Sequence, residues 1–229
     1  MSFIVNSSIG RKLVMSISGF ALIFFLLFHM SMNFVAIIDD VLGTEGYNAI
    51  CGFLGANWYA VVASIGLAAL VLVHFIYAIV LTIQNKKARG NQRYAYSKKP
   101  AEVEWASQNM FVLGLIVIGF MMLHLSQFWY KMQFAELAGV ENEIAAATDG
   151  LAWIKFYFSQ TWVVIAYIIW LGALWFHLSH GFWSAFQTIG WDGKVWFNRL
   201  RVISIIVSTI ICIGFACVPL YFYAVSLIA

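Results

Sequence analysis

Charged residues are scarce in this chain of 229 residues, where Asp, Glu, Lys and Arg together make up only 10%. A soluble domain carries roughly a quarter of such residues, so the composition excludes a soluble globular protein. Proline occurs only twice, and no long low-complexity linker interrupts the sequence. The sequence therefore predicts one membrane domain over residues 1–229 and argues against a string of modules.

Cysteine is also rare, and Cys51, Cys212 and Cys217 show no paired spacing of the zinc or redox type. No Cys-x-x-Cys-His run occurs, which excludes covalent attachment of a c-type haem. A small-residue cleavage site is missing from the apolar run after Lys12. That run is therefore expected to be a retained first helix and not a signal peptide.

Hydrophobic residues, by contrast, make up 63% of the chain. A hydrocarbon core of about 30 Å requires about 20 predominantly apolar residues per helix. Five segments meet this requirement, at approximately residues 13–38, 58–83, 105–130, 158–188 and 202–228. The predicted fold class is an all-α membrane protein with five transmembrane helices.

Positive charges are distributed unevenly among the connections between these spans. The N-terminus and the second and fourth connections carry Arg11, Lys12, Lys86, Lys87, Arg89, Arg93, Lys98, Lys99, Lys194, Arg199 and Arg201. The first and third connections carry only Lys131 and Lys155, along with most of the acidic residues. The positive-inside rule then predicts a cytoplasmic N-terminus and a C-terminus outside.

All five histidines lie inside predicted spans: His29, His74, His124, His177 and His180. An imidazole in hydrocarbon costs free energy, so it usually has a partner or a function. At about 1.5 Å of helix rise per residue, His29 and His124 fall near the outer face. His74 falls nearer the inner face, at the depth of His177 and His180. The histidines thus form two tiers on four helices.

Inward histidines on four helices at two depths predict two haems, each held by two axial imidazoles. Such ligation leaves no open position at the iron, which favours electron transfer over bond chemistry. Zinc fits less well, because no carboxylate or cysteine accompanies the histidines at those depths. His177 and His180 are three residues apart and share a helix face, so depth does not choose between them.

Six glycines are distributed among the histidine-bearing spans, and they would leave room for a bulky planar ligand: Gly19, Gly66, Gly114, Gly119, Gly172 and Gly181. Glycine is also common in ordinary transmembrane helix packing. Both interpretations remain open for any one of these positions.

Local runs around three of the histidines resemble a known family. These runs are Ser7–Lys12 with Met15–Gly19 and Phe28-His29, then Ser107–Met110 with Leu123-His124, and finally Phe176–Ser184 with Ile189–Trp191. Together they resemble the single-chain diheme cytochrome b subunit of succinate dehydrogenase and quinol:fumarate reductase. The resemblance covers almost the whole chain, although no single run is diagnostic.

The resemblance implies a five-helix anchor in the bacterial inner (cytoplasmic) membrane that binds two haem b groups and a menaquinone-type quinone. It implies a flavoprotein subunit and an iron-sulfur subunit on the cytoplasmic face, with a dimer of heterotrimers as a possible assembly. The chain would move electrons between menaquinol and the iron-sulfur subunit. The dicarboxylate chemistry, succinate oxidation or fumarate reduction, would belong to the flavoprotein.

Carried onto this sequence, the resemblance implies His29 and His124 as ligands of the distal haem. It implies His74 and His177 for the proximal haem, because the distance from His177 to Gly190-Trp191 matches the family's ligand position. The remaining residues that it implies are Ser16 and Gln108 near the inner haem, and Glu45 at the quinone site with Asp40 behind it. The family has unrelated residues where His180 stands, so His180 is expected near the inner haem only from its position beside His177 on the helix.

One position departs from the pattern. Some family members have a glutamate two residues before the fourth-helix ligand, where it carries protons beside the electrons. Trp175 stands at that position here and cannot relay a proton. The sequence therefore predicts that this route is missing. If quinone chemistry occurs near the outer face, electron flow is then expected to be electrogenic.

Two other functions remain open at this point. A diheme cytochrome b that anchors a hydrogenase or formate dehydrogenase would share the haem pattern, with its catalytic partner on the outside. A haem-free transporter with a histidine-lined path is a different class. Against it, no Asp or Glu lies within the predicted spans, whereas proton-coupled carriers normally have one.

Overall fold

The computed structural model describes residues 7–89, 105–191 and 193–228, and within them the chain is helical. Five helical stretches are long and apolar enough to cross a membrane. They are α1 (Ser8–Leu42), α3 (Trp58–Arg89), α4 (Trp105–His124) with its continuation to Ala138, α7 (Thr161–Thr188) and α8 (Lys194–Ser226). The prediction of an all-α protein with five candidate transmembrane helices is thus confirmed.

Helix α1 is longer at both ends than the predicted span 13–38. Ser7 caps its start, because the Ser7 side chain accepts a hydrogen bond from the Gly10 amide at 2.8 Å. Its end is at Gly43, which adopts the left-handed conformation (φ 67°) that favours glycine. Asp39 and Asp40 consequently lie on the same helix as the first span, directly after its predicted end at residue 38.

Helix α4 continues into a π-helical segment, Leu125–Phe134, and then into the short helix α5, Ala135–Ala138. π-Helical segments are rare in proteins, and those that exist are found frequently at functional sites. Two buried glutamines on this segment bind other elements: Gln127 accepts a bond from Tyr167, and Gln133 donates to the carbonyl of Gly55 at 3.0 Å. At about 50 Å of helix rise, this composite element projects beyond a hydrocarbon core.

The fourth and fifth spans differ from their predicted starts. The short helix α6, Gly150–Phe158, ends before the extended residue Gln160 (φ −93°, ψ 115°), and α7 begins at Thr161. Helix α8 begins at Lys194, eight residues before the predicted start at 202. Its basic first turns extend the helix beyond the purely apolar stretch, which hydropathy alone does not detect.

The four histidine-bearing helices form a bundle, with α8 packed across α7 and α1. Helix α1 is beside α3 and α7, while α4 is beside α7 and α3, so α1 faces α4 and α3 faces α7 diagonally. The middle of the core is built from apolar side chains of α1, α7 and α8: Ile23, Leu171, Leu174, Leu178, Ile211 and Cys212.

Short helices cover one end of the bundle, which we call the capped end: α2 (Gly46–Phe53), α5 and α6. Polar contacts tie this end together. Lys155 and Asp40 form an ion pair at 2.6 Å, and the hydroxyl of Tyr221 donates to the same carboxylate at 2.9 Å. Asn48 donates to Asp149 at 3.0 Å and so joins α2 to α6.

The other end, which we call the basic end, carries Arg11, Lys86 and Lys194. Arg93, Lys98 and Lys99, which entered the topology prediction, lie outside the described residues, as does the side chain of Arg89. The cytoplasmic placement of the basic end stays a prediction.

Asp39 stabilises the turn from α1 to α2. It is buried, with 3% of its surface exposed, and accepts hydrogen bonds from the Tyr47 amide and the Thr44 hydroxyl. We expect Asp39→Ala to cost about 1.5–3 kcal/mol, the usual contribution of a hydrogen bond to a charged group. Thermal unfolding in detergent measures this loss. Glu45→Ala is the control, because Glu45 is exposed and makes no cap bond to α2; equal losses in both variants would contradict the assignment.

Candidate functional site

Four of the five histidines meet in two pairs inside the bundle. The rings of His29 on α1 and His124 on α4 have centroids 5.8 Å apart and are nearly perpendicular. The rings of His74 on α3 and His177 on α7 have centroids 6.3 Å apart. Each pair joins two diagonally opposed helices, so both pairs lie across the interior of the bundle.

These separations suit two imidazoles on opposite sides of one metal ion. With a metal–nitrogen bond of about 2.0 Å and about 1.1 Å from nitrogen to ring centre, trans imidazoles have centroids about 6 Å apart. The observed values of 5.8 and 6.3 Å are close to this distance. Among the described residues, there is no group of three or more His, Cys, Asp or Glu that could hold a metal ion. The candidate ligands therefore occur as pairs of histidines.

The two pairs lie at different depths, and α1 and α4 repeat the same spacing. Gly19 on α1 lies against His74, and Gly114 on α4 lies against His177. His29 and His124 each follow ten residues after these glycines. Ten residues of helix rise by about 15 Å, so the pairs are separated by about that distance along the bundle.

A glycine lies beside each imidazole of the inner pair. A β-carbon added at Gly19 would lie 3.5 Å from Cε1 of His74, and one at Gly114 would lie 3.6 Å from Cε1 of His177. Both distances are ordinary van der Waals contacts, so alanine would fit at either position, and only a longer side chain would have to compete with the imidazole for space. The Nδ1 atom of His177 is buried without a hydrogen-bond partner in the described part of the chain.

The other glycines singled out in the sequence do not border the histidines. A β-carbon at Gly66, Gly119 or Gly172 would meet no atom within 4 Å, and one at Gly181 would meet Met110. Of these six glycines, only Gly19 and Gly114 therefore lie beside a histidine ring.

Side-chain hydroxyls contact one histidine of each pair, and sequence reasoning missed both. Ser18 Oγ lies 3.1 Å from Nδ1 of His74, and the Tyr167 hydroxyl lies 3.2 Å from Nδ1 of His124. Both hydroxyl residues are buried. One signal was available: each stands in an apolar span at the depth of the histidine that it contacts.

The remaining residues expected near the inner haem have different surroundings. The ring of His180 lies 5.0 Å from that of Trp183, while it is His177 that faces His74. Ser16 is buried, two residues before Ser18 on α1, whereas Gln108 is exposed on α4.

The two acidic candidates for quinone chemistry lie at the capped end. Glu45 is exposed just before α2. Asp40 is only 14% exposed and is paired with Lys155 and Tyr221. A cavity of about 290 Å³ opens at the same end. Its lining includes Tyr130, Lys131 and Trp153 but neither Glu45 nor Asp40.

A buried polar cluster at the capped end connects to His29 through Asn33. The Tyr47 hydroxyl donates to Asn33 Oδ1 at 3.0 Å, and Asn33 Nδ2 lies 3.3 Å from Nδ1 of His29. Burial raises the pKa of Tyr47 well above its usual range and raises the pKa of the Cys51 thiol to about 11. Both groups therefore stay protonated at neutral pH, and Tyr47 remains a donor.

Trp175, which stands where some members of the family resembled in the sequence have a glutamate, is tied to α8. Its indole nitrogen donates to the Thr209 hydroxyl at 3.0 Å. An indole donates a proton in a hydrogen bond but does not accept one. The expectation that a proton route is missing at this position stays a prediction.

Comparison with known proteins places the chain in no family. No protein-family model, no curated protein and no solved structure matches it. The site is therefore interpreted from its own residues. Those residues belong to a multi-pass membrane protein whose helices bring two pairs of histidines face to face at two depths.

Proposed function

We propose that this chain is a diheme cytochrome b that anchors an oxidoreductase in the membrane. Of the enzymes with such an anchor, succinate:quinone and quinol:fumarate oxidoreductases suit the residue runs described above best. In this proposal the basic end is cytoplasmic, the capped end is outside, and the membrane is the bacterial inner membrane. A flavoprotein and an iron-sulfur subunit would bind at the basic end.

One observation supports this proposal most strongly: each diagonal of the bundle is joined by a pair of histidines at the separation that a shared metal requires. A chance pair of core histidines has no reason to face its partner across the bundle axis. Two such pairs, about 15 Å apart along the helices, have still less reason to do so.

The residues would divide the work as follows. His29 and His124 would hold the haem nearer the capped end, and His74 and His177 the one nearer the basic end. Bound there, the two haems supply one-electron carriers at two depths of the membrane. With two imidazoles available for each haem, these residues would leave no open position at the iron for oxygen or substrate.

The quinone part of the proposal rests on the capped end. Quinol oxidation releases protons, and a carboxylate near the outer face is suited to take them up. Glu45 is exposed to solvent there, whereas Asp40 is neutralised by Lys155. We therefore propose Glu45 over Asp40 as the acidic group beside a menaquinone-type quinone.

Haem quantitation on the purified chain tests the proposal. The pyridine haemochrome assay, with oxidised and reduced spectra, is expected to show two non-covalent b haems per chain, both low-spin. Low-spin iron in both redox states follows from two strong-field imidazole ligands on each haem. A well-folded preparation that binds no haem when haem is supplied would overturn the proposal. The same result would favour the haem-free transporter instead, with Asp39 and Asp40 on α1 as its acidic residues.

A further inference from the structure

Each histidine pair contains one imidazole that is anchored by a hydroxyl and one that is not. Tyr167 contacts His124 in the pair nearer the capped end, and Ser18 contacts His74 in the other pair. A hydroxyl has one proton to donate and lone pairs to accept with. The direction of each contact therefore depends on where that single proton goes.

The proton of Tyr167 is committed to Gln127. The Tyr167 hydroxyl donates to Gln127 Oε1 at 2.9 Å, and both residues are buried, with 6% and 5% of their surfaces exposed. The hydroxyl oxygen is then left to accept from the imidazole, at 3.2 Å from His124 Nδ1. His124 is therefore the tautomer that carries its proton on Nδ1, with the lone pair of Nε2 available to a metal.

The proton of the Ser18 hydroxyl is also committed, but to a different acceptor. Its hydroxyl donates to the backbone carbonyl of Met15 at 3.0 Å. The oxygen is then left to accept from His74 Nδ1 at 3.1 Å. His74 is thus held as the same tautomer as His124, by a residue on a different helix and at a different depth.

The second imidazole of each pair has no such anchor. Nδ1 of His177 is buried without a hydrogen-bond partner in the described part of the chain. Asn33, the polar neighbour of His29, makes its shortest bond to the backbone carbonyl of His29 at 2.8 Å, while its distances to the two ring nitrogens are 3.3 and 3.5 Å. Each pair is therefore asymmetric, because the imidazole that contacts a hydroxyl lies on α4 in one pair and on α3 in the other. Of the two remaining imidazoles, His29 has an amide neighbour and His177 Nδ1 has no partner in the described part of the chain.

We propose that Tyr167 and Ser18 are positioning residues that fix the tautomers of His124 and His74 and lower the reduction potentials of the two haems. This inference rests on the proposed function. A bond accepted from Nδ1–H makes an imidazole a more basic ligand, which stabilises the oxidised iron. Gln127 strengthens the effect at Tyr167, because a hydroxyl that donates is a better acceptor.

The test is a spectroelectrochemical redox titration of the purified chain carrying both haems. Tyr167→Phe is expected to raise the midpoint potential of one haem, and Ser18→Ala that of the other. Loss of an outer hydrogen bond to a metal ligand typically costs tenfold or more in affinity or activity. We expect about a tenfold change in the reduced-to-oxidised ratio at fixed ambient potential, which is about 59 mV for a one-electron couple.

Matched control variants distinguish a change in haem potential caused by the lost hydrogen bond from a general disturbance of the structure. Tyr157→Phe removes a hydroxyl from the same aromatic cluster without touching a histidine, and it should move neither couple. Ser18→Thr retains the hydroxyl and should restore the wild-type potential. Should Tyr167→Phe lose haem, Gln127→Leu tests the same bond, with a smaller rise of the same couple expected.

The outcomes distinguish this inference from the function on which it rests. Two haems whose potentials move no more in Tyr167→Phe and Ser18→Ala than in Tyr157→Phe would overturn the inference and leave the proposed function intact. Movement of the same couple in both variants would also overturn it, because the hydroxyls contact different pairs. A wild-type chain without haem would overturn both.

Discussion

Replacing His177 by alanine is expected to lower the haem content of the purified chain from two to one, while the same change at His180 leaves both haems in place. The two histidines are three residues apart on α7, so both changes act on one helix at nearly one depth. They differ in what they face. His177 faces His74 across the bundle, whereas the ring of His180 lies beside Trp183.

The measurement is haem per polypeptide, by pyridine haemochrome on protein quantified by amino-acid analysis. His180→Ala is the matched control, because it removes the same imidazole from the same helix. Adding haem together with free imidazole to His177→Ala should restore the second haem, since imidazole can then take the place of the missing side chain as a ligand. Haem loss from His180→Ala with retention in His177→Ala would reverse the ligand assignment.

A large loss of stability is expected at the capped end from Gly150→Ala. Gly150 is buried at the start of α6, where an added β-carbon would collide with Sγ of Cys51 and would lie 2.8 Å from Cε1 of Tyr47. Neither neighbour moves easily, because Tyr47 belongs to the core cluster at this end and Cys51 packs against it. Overpacking of this kind costs about 1–3 kcal/mol, and Tm should fall by about 2–4 °C per kcal/mol.

Gly52→Ala is the control for that change. Gly52 lies on α2 in the same region, and an added β-carbon there would meet nothing within 4 Å. Alanine should be neutral or should stabilise the helix by about 0.5–1 kcal/mol. Adding Cys51→Ala to Gly150→Ala removes the colliding sulfur and should recover part of the loss. No recovery would show that the strain lies elsewhere.

The five spans were predictable because hydropathy records length and apolar content, and both are properties of continuous segments. Their ends were not, because they depend on local backbone chemistry. Gly43 ends α1 through its left-handed conformation, and Gln160 separates α6 from α7 through its extended one. The π-helical segment after His124 was also beyond prediction, since its buried glutamines bind partners far away in sequence.

The pairing of the histidines followed from depth, which needs only topology and helix rise. Depth did not separate His177 from His180, because one helical turn is smaller than the uncertainty in a span's end; the structure places His177 opposite His74. The partners Ser18 and Tyr167 were missed because their depth in an apolar span matches a histidine but does not show which way the hydroxyl faces. Only the helix orientations bring it to a particular nitrogen.

Helix α3 buries so little of its surface within the bundle that its sequence should be the freest to change over evolutionary time. Ala60 is its one buried residue among those that the structure describes between Trp58 and Ala88. Lipid chains accept Leu, Ile, Val or Phe almost interchangeably, so substitutions among them cost little at the remaining positions. In homologous chains we expect the sequence of α3 to vary more than that of α7, while His74 is retained.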